Sequence, residues 1–326
     1  MGCAINGWII LDKPLGMGST QGVGAVKRAL REGGYAKVKV GHGGTLDPLA
    51  TGVLPIALGE ATKLAGRMLD SDKVYDFTIS FGEQTDTLDL EGKVIATSDV
   101  RPTLAEVEAV LSRFTGPIEQ VPPAYSALKV DGKRAYDLAR AGEVVELKSR
   151  NIIVHELRAS APQPPAEFIL SDCKAAEGRE PNNLTRSRGV AGLPEITLTA
   201  HVSKGTYIRS LARDIALALG TVGHVAMLRR TKAGPFALDT AISLDILFEK
   251  SNSRCLEDIL LPLKTALVDI PALALTPEQA RLIKLGQVLT GIAAPDGLTL
   301  ATLAETPVAL VECQSGTVKV ERGFNL

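Results

Sequence analysis

The sequence predicts an α+β fold, with a mostly antiparallel mixed sheet flanked by helices. Strands are indicated where apolar residues alternate at period two, as they do in residues 195–202. Helices are indicated where apolar residues recur every three or four positions, as they do in residues 103–116. The two kinds of segment are mixed without a strict strand–helix–strand rhythm, which favours α+β over a parallel sheet.

Each predicted element has its own local signal. The strands are GWIILD (7–12), DKVYDFTISFG (72–82) and EITLTAHV (195–202). The helices are TQGVGAVKRALR (20–31), TLAEVEAVLSRFTG (103–116), RSLARDIALALG (209–220) and TPEQARLIKLGQ (276–287). Thr103 and Glu106 form a capping box, and Gly220 marks a helix end. Residues 307–324 predict a hairpin that turns at Ser315-Gly316.

The chain has 326 residues, enough for two domains. We expect a large domain at 1–248, a linker at 249–255 and a small β domain at 256–326. Within the large domain, residues 161–194 are rich in proline and predict an extended loop.

Composition excludes several classes of protein. Charged residues make up 22% and the net charge is −1, so the whole chain carries no basic signature of nucleic-acid binding. The N-terminus has no basic n-region and no apolar run approaches a membrane span, so we expect a cytoplasmic protein without membrane contact. Cysteines and histidines are scattered, which predicts no metal. Nucleotide-cofactor motifs are absent from the sequence, which predicts no cofactor.

The stretch GHGGTLDPLATG (41–52) contains the candidate reactive residue. Asp47 follows a glycine pair and precedes Pro48, so the backbone is expected to hold it in a loop. By itself this pattern fits either a hydrogen-bonded turn or a reactive carboxylate. A phosphate-binding loop is disfavoured because no Gly-Lys-Ser/Thr follows.

Several long segments, in order, resemble the TruB family of tRNA pseudouridine synthases. These segments are DKPLGMGST (12–20), VGHGGTLDPLATGVLPIALGEATK (40–63), DKVYDFTISFG (72–82), TDTLDLEG (85–92), PPAYSALKVDGKRAYDLARAG (122–142), KGTYIRSLARDIALALG (204–220) and LRRTKAGPF (228–236). One departure is Gly18, where the family usually has threonine.

The resemblance implies the pseudouridine synthase fold, a PUA-like C-terminal domain and isomerisation of uridine 55 in the T-loop of tRNA. It assigns the nucleophile to Asp47. A carboxylate in a water-poor pocket tends to take up a proton unless a cation lies nearby. By resemblance Arg209 pairs with Asp47 as that cation, and Tyr207 is the candidate for proton removal from carbon.

The resemblance also implies a set of substrate-binding residues, each with a plainer alternative. Tyr75 stacks on the target base, or is a core aromatic. His42 fills the space left by the flipped base, or is an ordinary loop residue. Leu228 is an apolar wall of the base pocket, or plain core. Lys13 contacts phosphate or is structural. Asp86, Asp89 and Glu91 do not match an EF-hand, and we assign them to turn geometry.

The predicted partner is the T-arm stem-loop of tRNA. Residues 201–232 carry six basic residues and one acidic residue, and 5–67 carry eight and four. By resemblance, the insertion 122–150 closes over the RNA. Residues 256–326 are acidic, with five basic and eight acidic residues, so they are not expected to attract tRNA strongly.

We expect a monomer with no obligate protein partner. The alternative to an enzyme is a tRNA-binding or tRNA-folding module in which catalysis is incidental. Only the enzyme needs a carboxylate at Asp47.

Overall fold

The computed structural model describes residues 5–126, 128–130, 132–141, 147–160 and 192–326. The chain divides into two compact units, Met1–Tyr75 with Arg229–Leu326, and Asp76–Leu228. Among the described residues, no helix combines the length and the apolar character needed to cross a membrane.

The secondary-structure elements are numbered in chain order. The strands are β1 Gly7–Lys13, β2 Val40–His42, β3 Ala50–Leu58, β4 Lys73–Phe81, β5 Glu83–Thr85, β6 Val94–Thr97, β7 Gly116–Gln120, β8 Lys129–Val130, β9 Lys133–Arg134, β10 Arg150–Ala159, β11 Glu195–Val202, β12 Gly223–Ala233, β13 Phe236–Ala237, β14 Ala272–Ala274, β15 Leu289–Thr290, β16 Gly297–Leu303, β17 Thr306–Gln314 and β18 Thr317–Gly323. The α-helices are α1 Ser19–Glu32, α2 Ala65–Asp70, α3 Leu104–Leu111, α4 Ala135–Arg140, α5 Ile208–Ala218, α6 Leu244–Asn252 and α7 Pro277–Lys284.

The first unit is built on β3, which lies between β1 and β12 in the sheet. Strands β1 and β3 pair antiparallel, from Gly7 opposite Leu58 to Lys13 opposite Gly52. Gly52 has φ +99°, and a Cβ there would lie 2.2 Å from the carbonyl oxygen of Arg230. Only glycine therefore allows β12 to run this close, which places Arg230 beside the loop before β3.

The core of the first unit joins the start of the chain to its C-terminal part. Trp8 is fully buried, its ring centroid lies 5.3 Å from that of Phe236, and its indole N–H donates to the carbonyl of Leu263 at 3.4 Å. Leu310 and Phe324 belong to the same apolar cluster. The C-terminal strands form a sheet in the order β14–β16–β17–β18–β15, with its own buried cluster under α7.

The second unit contains β4 from Asp76 onward, followed in its sheet by β11, β10 and β7. Strands β10 and β11 pair antiparallel, as do β10 and β7. Helices α3 and α5 supply apolar faces that are almost wholly buried. The buried side chains of these helices and strands include Phe77, Ile79, Val107, Leu111, Ile152, Val154, Leu198, Leu211 and Ile215. Strands β4 and β12 each cross the unit boundary along the chain.

The predicted fold class is confirmed, including the C-terminal β structure. The Thr103–Glu106 capping box forms, and strand β11 has the predicted bounds. The hairpin turns at Ser315 and Gly316, with φ values of +49° and +76°. The linker interpretation of 249–255 is wrong at its start, because α6 continues to Asn252 and buries Ser251. Most of the predicted loop 161–194 lies outside the described residues.

Candidate active site

Asp47 lies in the loop between β2 and β3 of the first unit, and its side chain is half-buried. Gly43 donates its N–H to the carbonyl of Pro55 at 2.8 Å, and Gly44 has φ +142°. The carbonyl of Asp47 accepts the N–H of Ala50 at 3.0 Å, which closes a turn directly before β3. The glycine pair thus allows the sharp path that the sequence predicts at this point.

Ser19 and Lys13 hold the residues on either side of Asp47. The hydroxyl of Ser19 accepts the N–H of Leu46 at 2.7 Å and donates to the carbonyl of Leu46 at 3.0 Å. The ammonium of Lys13 donates to the carbonyl of Pro48 at 3.2 Å and to that of Met17 at 2.6 Å. The loop is therefore fixed immediately before and after the carboxylate.

Lys13 is completely buried at the end of β1. Burial lowers the pKa of Lys13 to about 8, the nearby Asp47 carboxylate opposes that change, and the Arg230 guanidinium adds to it. The ammonium has three N–H groups, and a third carbonyl, that of Pro14, accepts at 3.1 Å. Lys13 thus links the loop after β1 to the loop before β3 through hydrogen bonds to their carbonyls.

Arg230 holds the first half of the same loop. It is 1% exposed, and its Nε donates to the carbonyl of Val53 at 2.8 Å. Its Nη atoms donate to the carbonyls of Thr45 and Gly44, both at 3.3 Å. Local sequence patterns carry no signal for this role, because the contacts join residues far apart in the chain.

His42 ends β2 and is half-buried. Its Nδ1 accepts the N–H of Gly44 at 3.4 Å. Burial lowers the pKa of His42, and the Arg230 guanidinium lowers it further. A neutral imidazole whose Nδ1 faces the loop is the form that these contacts favour.

Arg209 is buried near the start of α5 in the second unit, at 7% exposure. Its Nη1 lies 3.3 Å from a carboxylate oxygen of Asp89 and donates to the carbonyl of Thr87 at 2.8 Å. Its Nη2 donates to the carbonyl of Tyr125 at 3.0 Å. The guanidinium is therefore fixed inside the unit and is not a surface group.

Asp89, the partner of Arg209, also stabilises the turn in which it lies. Its other carboxylate oxygen accepts from the Thr87 hydroxyl at 2.5 Å and from the Glu91 N–H at 3.0 Å. The turn geometry predicted for TDTLDLEG is confirmed, with Leu88 at φ +64°. The sequence reasoning missed the ion pair with Arg209, which no local pattern encodes.

Tyr207 is the residue directly before α5, and Gln120 holds its backbone from both sides. The side chain of Gln120 accepts the N–H of Tyr207 at 2.8 Å and donates to its carbonyl at 3.1 Å. Tyr207 is half-buried, as is Leu228 on β12. The sequence patterns did not predict this contact between Gln120 and Tyr207.

Tyr75 lies on β4 in the first unit and is partly buried, whereas Phe77 and Ile79 further along the strand are fully buried. The predicted site residues divide between the units: Lys13, His42, Asp47 and Tyr75 are in the first, and Tyr207, Arg209 and Leu228 are in the second. The pairing of Asp47 with Arg209 stays a prediction.

The basic stretch at 201–232 is much less available to RNA than its charge suggests. Arg209 and Arg230 are buried against carbonyl oxygens, as described above. The Nε of Arg213 lies 2.8 Å from a carboxylate oxygen of Asp214, and an Nη of Arg229 lies 2.8 Å from a carboxylate oxygen of Asp12. Lys204 and Lys232 are the members of this set whose side chains are exposed. Counting charges along the sequence therefore overestimates the attraction for phosphate.

The sequence matches two models of one protein family. Residues 30–178 match the model described as "TruB family pseudouridylate synthase (N terminal domain)". Residues 209–268 match that of the "tRNA pseudouridylate synthase B C-terminal domain".

Curated relatives match the chain along nearly its whole length. The chain is 62% identical to the tRNA pseudouridine synthase B of Novosphingobium aromaticivorans, over 99% of this chain and 98% of the relative. It is 54% identical to the protein of that name from Zymomonas mobilis, over 99% and 97%. Among solved structures, a Cbf5 chain from a Cbf5–Nop10–Gar1 complex matches with TM-score 0.68 and 25% identity, over 98% of this chain and 85% of that chain.

Proposed function

The chain belongs to the TruB family of pseudouridylate synthases, and on this basis we propose that it isomerises uridine 55 in the T-loop of tRNA with Asp47 as nucleophile. Its general activity, without regard to the position modified, is that of a tRNA pseudouridine synthase. The observation that carries the proposal is the loop at Asp47, which buried side chains fix before and after the carboxylate. An aspartate needed only for a turn does not require three buried side chains to hold the main chain around it.

The chemistry is an internal rearrangement of the nucleoside. The bond from the ribose carbon to the uracil nitrogen breaks, the uracil turns, and a bond from ribose to a uracil carbon replaces it. The newly bonded uracil carbon loses one proton and the released nitrogen gains one, so substrate and product are isomers and the reaction consumes no oxidant or reductant. A carboxylate that attacks, and is later released, divides this rearrangement into two easier steps.

The other site residues take roles around that carboxylate. The target uridine must leave the RNA stack, which costs a few kcal/mol. We assign His42 to the space that the base vacates, Tyr75 to stacking on the base and Leu228 to the pocket wall. Tyr207 removes the proton from the newly bonded carbon. Arg209 is the cation predicted to pair with Asp47, and its guanidinium is held in place by the carbonyls of Thr87 and Tyr125.

The test is conversion of an unmodified T-arm stem-loop by the wild-type protein, with the modified position mapped in the product. We expect pseudouridine at position 55 only. A stem-loop with cytidine at that position should bind with similar affinity and give no product. Binding without product from the uridine stem-loop would favour the tRNA-folding module. Product at another position would overturn the assignment of the target.

A further inference from the structure

Two residues outside the family segments quoted above hold Tyr207. Gln120 ends β7 and Arg150 begins β10, and they face each other in the pairing of these strands. We propose that Gln120 and Arg150 are positioning residues for Tyr207 in the isomerisation. This inference rests on the proposed function, since it concerns the placement of a residue to which that function gives a role.

Gln120 fixes the backbone of Tyr207. Its side chain is 1% exposed, and it makes one hydrogen bond to the N–H and one to the carbonyl of the same residue. An amide that donates and accepts in this way occupies both polar groups of one peptide residue, as a neighbouring strand would. The residue before α5 is therefore fixed to β7 at its backbone.

The next helical turn is joined to the same strand end. Ser210 donates its hydroxyl to the carbonyl of Val121 at 2.8 Å, and Arg213 donates to that carbonyl at 3.2 Å. The start of α5 and the end of β7 thus form one hydrogen-bonded block. The backbone at Tyr207 has little freedom to move within this block.

Arg150 acts on the ring of Tyr207. Its guanidinium carbon lies 5.8 Å from the ring centroid, within the range of a cation–π contact. Its Nε is buried and has no hydrogen-bond acceptor among the described residues. Burying an N–H without an acceptor destabilises a fold, so an arginine kept in this state points to a role other than stability.

The two contacts together set the position of the phenol. Gln120 fixes the backbone of Tyr207, and Arg150 limits the rotation of its ring. A misplacement of about 1 Å at a reacting group costs a rate factor of about 100. Loss of either contact should therefore lower kcat and leave KM, which reports the RNA contacts, almost unchanged.

The experiment compares Arg150→Met, Arg150→Lys and Gln120→Glu with the wild type on the T-arm stem-loop. Gln120→Glu keeps the acceptor for the Tyr207 N–H and removes the donor to its carbonyl. Arg150→Met keeps the chain length and removes the cation. Arg158→Met, an exposed arginine on the same strand, is the matched control.

We expect kcat to fall about 10- to 100-fold in Arg150→Met and Gln120→Glu. Arg150→Lys should recover part of the loss, because it restores a cation beside the ring. The melting temperature of Arg150→Met should equal or exceed that of the wild type, because the variant removes a buried N–H that has no acceptor among the described residues. Arg158→Met should be unchanged.

Wild-type kcat in either variant overturns the assignment of that residue. Activity lost through KM, or only in proportion to lost folded protein, overturns the positioning role in favour of a structural one. Tyr207→Phe, measured in parallel, separates this inference from the proposed function. If Tyr207→Phe keeps full activity, the phenol has no role in the reaction. If Tyr207→Phe is inactive while the Gln120 and Arg150 variants keep the wild-type kcat, only the present inference is contradicted.

Discussion

At the scale of single residues, the loop at Asp47 is supported by side chains from three separate elements. Lys13 comes from β1, Ser19 from the first residue of α1, and Arg230 from β12. Each binds main-chain groups of the loop, so side chains of the protein itself set the backbone path. Under the proposed function, preorganisation of this kind avoids reorganisation cost during the reaction.

Arg230→Met should destabilise the protein by about 3 kcal/mol, because three carbonyl oxygens lose a charged donor in a buried place. Denaturant unfolding measures the change. The neighbouring Arg229 is half-exposed and forms a surface ion pair with Asp12, so Arg229→Met should cost less than about 1 kcal/mol. Equal losses in the two variants would contradict the bracing role of Arg230.

Lys13 should make stability depend on pH. Its pKa in the folded protein is about 8, below the usual 10.5, so between these values the unfolded chain binds more protons. The contribution of Lys13 to stability therefore rises as the pH increases through this window and is smallest below it. From pH 7.5 to 10, the unfolding free energy of the wild type should increase by about 2 kcal/mol relative to Lys13→Met.

Unfolding curves of both proteins at several pH values measure that difference. Subtracting the variant removes the titration of the groups that the two proteins share. A difference that stays constant across the window would mean that the pKa of Lys13 is not lowered by folding.

At the scale of elements, helix α1 begins without a capping side chain. Gly18 has φ −78° and ψ 153°, a conformation open to any residue, and only Gln21 reaches back to its N–H, at 2.7 Å. Gly18→Ser should supply a hydroxyl acceptor for the first turn and add about 0.5 kcal/mol to stability. Thermal unfolding should show a melting temperature higher by about 1–2 °C.

Gly16 provides the contrast within the same loop. Its φ of +80° is favourable only for glycine, so Gly16→Ser should lower stability by about 1 kcal/mol. Stabilisation of both variants, or of neither, would show that the loop conformation differs from the one described.

Elements with local signals could be predicted from the sequence. Strand β11 alternates along its length, and α3 begins directly after Thr103, where its capping box predicts. Strand β3 has no such signal, because Ala50–Leu58 is buried on almost every side chain and contains Pro55. A fully buried strand loses the alternation that reveals a half-exposed one.

The site was predictable only where it lies in one contiguous motif. Asp47 and its glycines stand together in the sequence, and the family resemblance assigns the nucleophile to Asp47. Arg230 and Gln120 make their contacts across 186 and 87 positions of the chain, respectively. Such contacts depend on strand order and register, which local patterns do not encode.

At the scale of the whole molecule, the net charge of −1 leaves little general attraction for RNA. Several basic residues of the motif segments are committed to internal contacts, and the C-terminal part is acidic. Binding must therefore depend on individual exposed cations. Because each phosphate contact releases counterions, each of these cations should steepen the fall of RNA affinity with salt concentration.

Lys232→Ala should weaken tRNA binding and reduce the slope of log affinity against log salt by about 1. Lys232 is exposed on β12, two positions after Arg230. Lys264→Ala is the control, since Lys264 is exposed in the C-terminal part and lies 2.6 Å from Glu305. Titrations at several salt concentrations measure both slopes. An unchanged slope for Lys232→Ala would remove this residue from the RNA-binding surface.

The proposed function depends on Asp47 as the nucleophile, in a loop whose backbone is already fixed around it. The most direct test is the single-turnover rate of Asp47→Asn on saturating T-arm RNA, with RNA affinity measured on the same preparation. Asp245→Asn, at an exposed aspartate in the first turn of α6, controls for loss of one negative charge. We predict no detectable pseudouridine from Asp47→Asn, RNA affinity close to that of the wild type, and full activity of Asp245→Asn. Measurable turnover by Asp47→Asn would contradict the claim.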